Sequence, residues 1–287
     1  MKKPELLAPG GSLEKLKMAI MYGADAVYIG GEAFSLRVAA ENFSVEDMKE
    51  GIAFAHERGV KVYVTANILA HNSDLKGAEE YFTELKEIRP DALIISDPGM
   101  FTIAKRVCPE IEIHISTQAN NTNYQTYRFW WQQGAKRVVS ARELSLAEIK
   151  EIREHIPEEM EIESFIHGAL CYCFSGQCLL SSMLGGRSGN RGRCAQPCRL
   201  PYEVFEADYK RRGNGEPYVL SPKDLCTIEY IPQLAESGIF SFKIEGRLKK
   251  PEYVATVVKA YREAIDQYVE TRRIKLSKQT HVDMDQI

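Results

Sequence analysis

The chain has 287 residues, of which 44% are hydrophobic and 27% charged, and its formal net charge is −3. This balance fits one large globular domain and excludes a strongly basic protein, so any nucleic-acid surface must be local. No apolar run approaches the roughly 18 residues of a membrane helix. Pro4 and Gly10 interrupt the N-terminal segment where a signal peptide would be apolar. The sequence therefore predicts no membrane contact and a cytoplasmic location.

Short apolar runs alternate with longer amphipathic stretches along most of the chain. These runs are rich in Val, Ile, Tyr and Phe, as strands buried on both faces are. Eight strands alternating with helices predict an α/β fold, a (β/α)8 barrel of the triosephosphate-isomerase (TIM) type over residues 1–270. A doubly wound open sheet is the alternative, because one of the eight strands could be false. The predicted strands are Glu5–Ala8, Ala26–Gly30, Val62–Asn67, Ala92–Ser96, Ile111–Thr117, Arg137–Ser140, Ile162–His167 and Phe240–Glu245.

The alternation stops after the seventh predicted strand, where residues 169–220 are rich in cysteine, glycine and arginine. An insertion at this point lies on the catalytic face of a barrel. Within it, Tyr202–Ala207 and Tyr218–Ser221 predict a hairpin. Ser12 and Asp97 are predicted to begin two of the helices. Residues 271–287 have no strong periodicity and are predicted to form a poorly structured tail.

Seven cysteines are an odd number, and in a reducing compartment they indicate metal binding or reactive thiols instead of a disulfide framework. Four cysteines in a loop suit zinc or an iron–sulfur cluster, and the wide first interval favours the cluster. Cys108 and, less well, Cys173 fit the alternative of buried structural thiols. The predicted metal ligands follow a Cys-x6-Cys and a Cys-x3-Cys spacing: Cys171, Cys178, Cys194 and Cys198.

Polar residues at the ends of predicted strands are the candidates for catalysis and substrate binding, because these ends meet at the catalytic face of a barrel. His167 is equally well a structural histidine, and Lys243 and Glu245 equally well form a pair that only stabilises the barrel. Asn67 and Asp97 are predicted to face the substrate. The predicted catalytic residues are His114, Gln118, His167, Lys243 and Glu245.

Basic residues cluster in the insertion and are interleaved with Tyr202 and Tyr209, which predicts a surface for an RNA backbone. An ordinary solvated surface is the alternative. The residues are Arg187, Arg191, Arg193, Arg199, Lys210, Arg211 and Arg212. Protease chemistry has little support, since the sequence lacks an HExxH helix and a G-x-S-x-G elbow. A Cys171/His167 pair stays open as a nucleophile and base.

Several blocks of the sequence resemble the collagenase-like peptidase family U32, over about residues 4–270. The first blocks are Glu163–Cys171 with Ser175–Ser181, and Asn190–Arg199. Three more are SAREL at 140–144, SPKDL at 221–225 and FKIEGR at 242–247. Within this family the chain looks most similar to the branch that hydroxylates the wobble uridine of tRNA to 5-hydroxyuridine without oxygen. Other branches modify a cytidine of 23S ribosomal RNA or act as a heterodimer in ubiquinone synthesis.

This resemblance implies a 4Fe–4S cluster, tRNA bound through its anticodon loop, and prephenate as the hydroxyl donor. A dicarboxylate donor needs arginines, for which Arg37 and Arg247 are the predicted residues. Some branches use a cysteine at the position of Cys226, which therefore rivals one of the four ligands. We also expect the small C-terminal β domain that usually follows the barrel in this family to be absent. The partner protein, if there is one, would form a homodimer or a heterodimer with this chain. A U32-type peptidase and an electron-transfer or scaffold subunit are the alternative functions.

Overall fold

A computed structural model describes residues 3–36, 42–207, 211–212 and 216–285 of the protein. In chain order the strands are β1 (Glu5–Pro9), β2 (Ala26–Gly30), β3 (Lys61–Ala66), β4 (Ala92–Ile95), β5 (Glu112–Ile115), β6 (Arg137–Val139), β7 (Glu161–Gly168), β8 (Val204–Phe205), β9 (Arg211–Arg212), β10 (Leu225–Cys226) and β11 (Ser241–Ile244).

Eight of these strands form a closed parallel barrel. The strands β1 to β7 pair with one another in sequence, and β11 lies between β7 and β1. Because β11 closes the sheet, the open-sheet alternative is wrong and the predicted TIM-type barrel is confirmed. Each barrel strand is almost wholly buried, since helices cover its outer face and side chains fill the interior.

Helices follow most of the barrel strands. They are α1 (Leu13–Met21), α2 (Val45–His56), α3 (Ala78–Ile88), α4 (Pro98–Val107), α5 (Tyr124–Gln132), α6 (Leu146–His155), α7 (Leu180–Gly185), α8 (Ile231–Glu236), α9 (Pro251–Thr271) and α10 (Lys278–Asp285). Ser12 and Asp97 cap α1 and α4 as predicted, by accepting hydrogen bonds from the backbone N–H groups of Lys15 and Met100. No helix within the described ranges is long and apolar enough to cross a membrane.

Two segments differ from their predicted structure. The hairpin in the insertion pairs β8 with β9, so Tyr218–Ser221 is not its second strand. Pro217 and Pro222 flank Tyr218–Ser221, and proline has no N–H to donate to a ladder. Near the C-terminus, α10 forms where the sequence predicts no regular structure. The Ser277 side chain accepts a hydrogen bond from the backbone N–H of Thr280, so a local cap begins this helix without an apolar periodicity.

The interior of the barrel holds a buried ionic network built around Arg137. One of its guanidinium nitrogens, Nη1, lies 2.7 Å from Glu5 Oε1 and 3.0 Å from Glu163 Oε2. The other carboxylate oxygen of Glu163 lies 2.7 Å from Lys243 Nζ. Burial alone would raise the pKa of Glu163, but Lys243 and Arg137 hold it below its ordinary value. Glu163 is therefore ionised between two cations at neutral pH.

We expect Glu163→Gln to reduce the free energy of unfolding by about 3–5 kcal/mol, because Lys243 would stay buried without its anion. Denaturant unfolding measures this change. Since the folded-state pKa of Glu163 is lowered, its contribution is lost as the pH falls through that pKa, and the two proteins should converge in stability at acid pH.

The matched control is Glu57→Gln, which breaks an exposed pair with Arg58 and should change stability by about 1 kcal/mol or less. A change at Glu163 as small as that of the control would show that the buried pair contributes nothing to folding.

Candidate functional site

A cavity opens at the end of the barrel where the strands finish. The empty space there amounts to about 460 Å³ when the part that is open to solvent is included. Five residues predicted from strand ends line it together: Asn67, Gln118, Lys243, Glu245 and Arg247. They come from the ends of three different strands, so closure of the barrel is what brings them to one place.

The two predicted catalytic histidines do not line this cavity. His114 is fully buried inside the barrel, and its ring meets the Tyr63 ring edge-on with centroids 4.8 Å apart. Burial, reinforced by Arg137, holds the pKa of His114 well below its ordinary value, so the ring is neutral. Neither ring nitrogen has a hydrogen-bond partner among the described residues.

His167 lies behind the barrel wall because β7 contains an extra residue. Lys243 pairs with Phe165, but the next residue of β11 pairs with His167, so the usual alternation of faces is interrupted. The His167 ring consequently packs against α9, with Nδ1 3.3 Å from the hydroxyl of Tyr261. Burial lowers the pKa of His167 to about 4. This placement matches the structural alternative for His167.

Positive charge dominates the cavity wall. Lys243 Nζ lies 4.4 Å from the centre of the Tyr28 ring and keeps its bond to Glu163. Arg247 is only 4% exposed and donates a 3.0 Å hydrogen bond from Nη2 to Ser35 Oγ. A Cβ on Gly30 would lie 2.0 Å from Arg247 Nη1, so only glycine leaves room for this guanidinium. With Arg142, three cations and one carboxylate line the cavity, which suits a small anion.

Amide side chains complete the wall. Asn67 accepts a 3.3 Å hydrogen bond from the backbone N–H of Leu36 and lies 3.4 Å from Ser116 Oγ through its own Nδ2.

Asp97, predicted beside the substrate, instead caps α4 and accepts a hydrogen bond from the backbone N–H of Ala70. Arg37, the other predicted carboxylate-binding arginine, falls outside the described residues.

The insertion is fastened to the rim of this cavity. Gly176, in the left-handed region at φ 72°, packs so closely on Gln118 that a Cβ would lie 2.0 Å from its carbonyl oxygen. Ser175 Oγ donates a 2.9 Å hydrogen bond to the carboxylate of Glu143. The backbone N–H of Leu69 donates to the carbonyl of Asn190 at 2.9 Å. The cysteine-bearing loop is thus held beside the cavity from two sides.

The four predicted ligand cysteines are neighbours in this loop. Burial raises the pKa of the Cys198 thiol; Arg199 opposes this rise, while Cys194, Cys171 and Cys178 add to it. Thiolates crowded in this way gain from a bound cation, which relieves their mutual repulsion. Within the described ranges, however, no three or more cysteine, histidine or acidic side chains converge closely enough to hold a metal ion. Four cysteine thiols in one loop are the kind of donor set that an iron–sulfur cluster takes.

The remaining cysteines are placed differently. Cys226 lies in β10 opposite His167, and its thiol lies close to the hydroxyl of Tyr261. Cys173 lies near Cys178. Cys108 is buried in the core and donates to the carbonyl of Ala104 at 3.3 Å, as the structural interpretation predicts. Of the two rival positions, Cys198 is therefore the one that lies near Cys171, Cys178 and Cys194.

The arginines of the insertion divide into two groups. Arg191 forms an ion pair with Asp74. Arg199 donates to Ser221 Oγ at 2.6 Å and to the carbonyls of Leu170 and Pro222. Both therefore fasten the insertion, a role that their sequence cluster does not reveal. Arg187 and Arg193 are exposed, although Arg187 Nε donates to the carbonyl of Arg193 at 3.1 Å. Lys210 and Tyr209 fall outside the described residues.

One residue of the site was missed at the sequence level. Arg142 follows β6, lines the cavity, stacks on Phe165 with Cζ 4.3 Å from the ring centre, and lies 3.5 Å from Cys171 Sγ through Nη1. Its position in the sequence indicates a place in the site, because Arg142 stands two residues beyond the predicted strand end at Ser140, inside the SAREL block.

Comparison with known proteins gives a consistent family. The chain is 48% identical over 272 residues to tRNA hydroxylation protein P1 of Bacillus subtilis (strain 168), covering 93% of this chain and 64% of that protein. It is 41% identical over 268 residues to a 23S rRNA 5-hydroxycytidine synthase of Escherichia coli (strain K12), covering 93% of this chain and 40% of that protein. The chain thus spans under two thirds of the length of either relative.

A solved structure supports the fold alone. The U32 peptidase Mk0906 superimposes with a TM-score of 0.56 at 12% identity, covering 85% of this chain and 93% of that one. The sequence model of peptidase family U32 matches residues 11–287. The match to the family model confirms the predicted resemblance, and the chain belongs to peptidase family U32.

Proposed function

We propose that the protein is an iron–sulfur RNA-modifying enzyme that hydroxylates the wobble uridine of tRNA to 5-hydroxyuridine without oxygen, with prephenate as hydroxyl donor. The observation that carries the proposal is that a loop with four cysteines lies against a cationic cavity, with Arg142 in contact with both. The names of the relatives support RNA hydroxylation, and the higher identity to the tRNA protein favours tRNA over ribosomal RNA.

The cavity accounts for the form of RNA that the enzyme accepts. The cavity lies among the strand ends at the mouth of the barrel, which a single nucleotide can enter but a duplex cannot, so the target base must leave its stack. An anticodon loop presents an unpaired base at low energetic cost. The rest of the tRNA then lies over the insertion, where the exposed Arg187 and Arg193 contact phosphates.

The cationic wall of the cavity is suited to binding the second substrate, the hydroxyl donor. Prephenate carries two carboxylates, and Arg142, Lys243 and Arg247 supply the charge to bind them. Asn67, Gln118 and Glu245 provide neutral and acidic partners that orient the base or the donor. His114 and His167 stabilise the barrel in this proposal, since neither lines the cavity.

Four thiolates would hold the cluster: Cys171, Cys178, Cys194 and Cys198. One-electron transfer is the chemistry that a 4Fe–4S cluster supplies when bound. Replacing the C5 hydrogen of uridine by a hydroxyl group is a two-electron oxidation, so the donor that gives up the hydroxyl group must be reduced by two electrons. A bound cluster would pass electrons between the two substrates. A homodimer or heterodimer stays a prediction.

The peptidase alternative fits this site less well. Cys171 Sγ contacts Arg142 at the cavity rim, whereas His167 packs on Tyr261 behind β7. A nucleophile and its base must lie within hydrogen-bonding reach, and these two side chains make their contacts on different sides of the wall.

We expect the wild type, purified without oxygen, to be brown and to contain about four irons per chain. Serine at any of the four ligand positions should lower the iron content and bleach the absorbance, because a hydroxyl replaces a thiolate ligand. Metal analysis and visible spectroscopy measure both. Cys226→Ser is the matched control and should retain the cluster. Stoichiometric zinc after anaerobic reconstitution, or loss of iron only in Cys226→Ser, would contradict the assignment.

Mass spectrometry of tRNA from a strain without the gene tests the reaction. We expect 5-hydroxyuridine derivatives to disappear and to return when the wild-type gene is restored, but not when Cys171→Ser is supplied. Hydroxycytidine in ribosomal RNA is the internal control and should stay constant. Unchanged tRNA together with peptide cleavage by the pure protein would favour the peptidase instead.

The role of the exposed arginines in tRNA binding can be tested without changing the arginines that hold the insertion in place. Replacing Arg187 and Arg193 by alanine should weaken tRNA binding and reduce the dependence of log K on log salt by about 0.7–0.9 for each phosphate that is no longer neutralised. Arg128→Ala, at an exposed position on α5, is the control. Identical slopes for all three proteins would mean that Arg187 and Arg193 form an ordinary solvated surface.

A further inference from the structure

Arg142 stands at the boundary between the cavity and the cysteine loop. Its guanidinium covers the Phe165 ring, and Nη1 reaches Cys171 Sγ at 3.5 Å. Its Nε is buried and has no hydrogen-bond partner among the described residues. A buried donor without a partner is unfavourable by about 1–3 kcal/mol, and more for a charged group, so this nitrogen needs an acceptor.

The position of Arg142 is fixed by the docking of the insertion. Its backbone N–H donates a 3.2 Å hydrogen bond to Ser175 Oγ. Ser175 is in turn held by the carboxylate of Glu143, the neighbour of Arg142 in the chain. The guanidinium is therefore preorganised before any ligand enters, which lowers the entropy lost on binding.

The charge around Arg142 points to an anion. Lys243 lines the same cavity. Burial chiefly lowers the pKa of Lys243, Glu163 opposes this change, and the charges of Arg137 and Arg142 add to it. A carboxylate between Arg142 and Lys243 would relieve their repulsion and accept from the unpaired Nε. Arginine suits this task better than lysine, because its planar fork donates two parallel hydrogen bonds to a carboxylate.

We infer that Arg142 binds a carboxylate of the small-molecule co-substrate and holds it beside Cys171, at the edge of the cysteine loop. This inference rests on the proposed function and deepens it, because it states which side chain places the donor next to the cluster ligands. Arg142 would then be a binding residue for the donor, distinct from the arginines that contact RNA.

The test compares Arg142→Gln, Arg142→Lys and the exposed control Arg128→Gln, with prephenate as the probe. Calorimetric titration should show a rise in Kd of about 10- to 100-fold for Arg142→Gln, the loss expected for a charge-assisted hydrogen bond. Arg142→Lys should recover part of the affinity, because it keeps the charge without the fork. In tRNA hydroxylation, KM for prephenate should rise more than kcat falls. Arg128→Gln should match the wild type in both assays.

Iron content and the electron paramagnetic resonance spectrum of the reduced protein serve as the readout for a purely structural role. We expect both to be retained in Arg142→Lys and Arg142→Gln. An unchanged Kd for prephenate, or loss of the cluster with normal prephenate affinity, would overturn the inference and leave Arg142 as a support for Cys171. A wild type that fails to bind prephenate would also overturn the inference. A wild type that binds prephenate through Arg142 but leaves tRNA unmodified would refute the proposed function and keep this inference.

Discussion

The ionic network inside the barrel is the constraint on which the rest of the structure depends. Glu163 lies between Arg137 and Lys243, so one carboxylate joins the interior of the barrel to the wall of the cavity. Burying these charges is unfavourable unless every member finds its partners, and the partners come from strands far apart in the chain. Correct closure is therefore coupled to correct charge placement. Lys243 can line the cavity as a buried cation because Glu163 lies beside it.

The insertion adds a cysteine-bearing loop to a scaffold that is otherwise an ordinary barrel. Four residues hold the insertion in place through contacts with the rim of the cavity or within the insertion itself. They are Arg191, Arg199, Ser175 and Gly176. Those contacts keep a short-stranded, cysteine-rich segment in one orientation. The site is thus a composite, with cations supplied by the strands and thiols supplied by the loop, and Arg142 is the side chain where the two meet.

The sequence predicts much of this arrangement because two of its signals are local. Apolar runs mark the barrel strands, and the cysteine spacing marks the loop. The misplaced residues depend on long-range geometry instead. His167 turns away from the cavity because of one extra residue in β7, which the strand pattern does not reveal. Arg191 and Arg199 look like exposed basic residues until their partners, Asp74 and Leu170, are brought close by the fold.

The hydrogen bond between Ser241 and Glu5 joins residues 236 positions apart, across the seam where β11 meets β1. Contacts of such long sequence separation form late, because the entropy of closing the loop must be overcome first. On the ribosome the cysteine loop is therefore synthesised before the strand that carries Lys243 exists. Until β11 emerges, Glu5 and Glu163 lack partners that they have in the finished barrel. The order of synthesis thus separates Arg142 and the thiols from Lys243 and Arg247 in time, and the cavity exists only once the chain has been made through its eighth barrel strand.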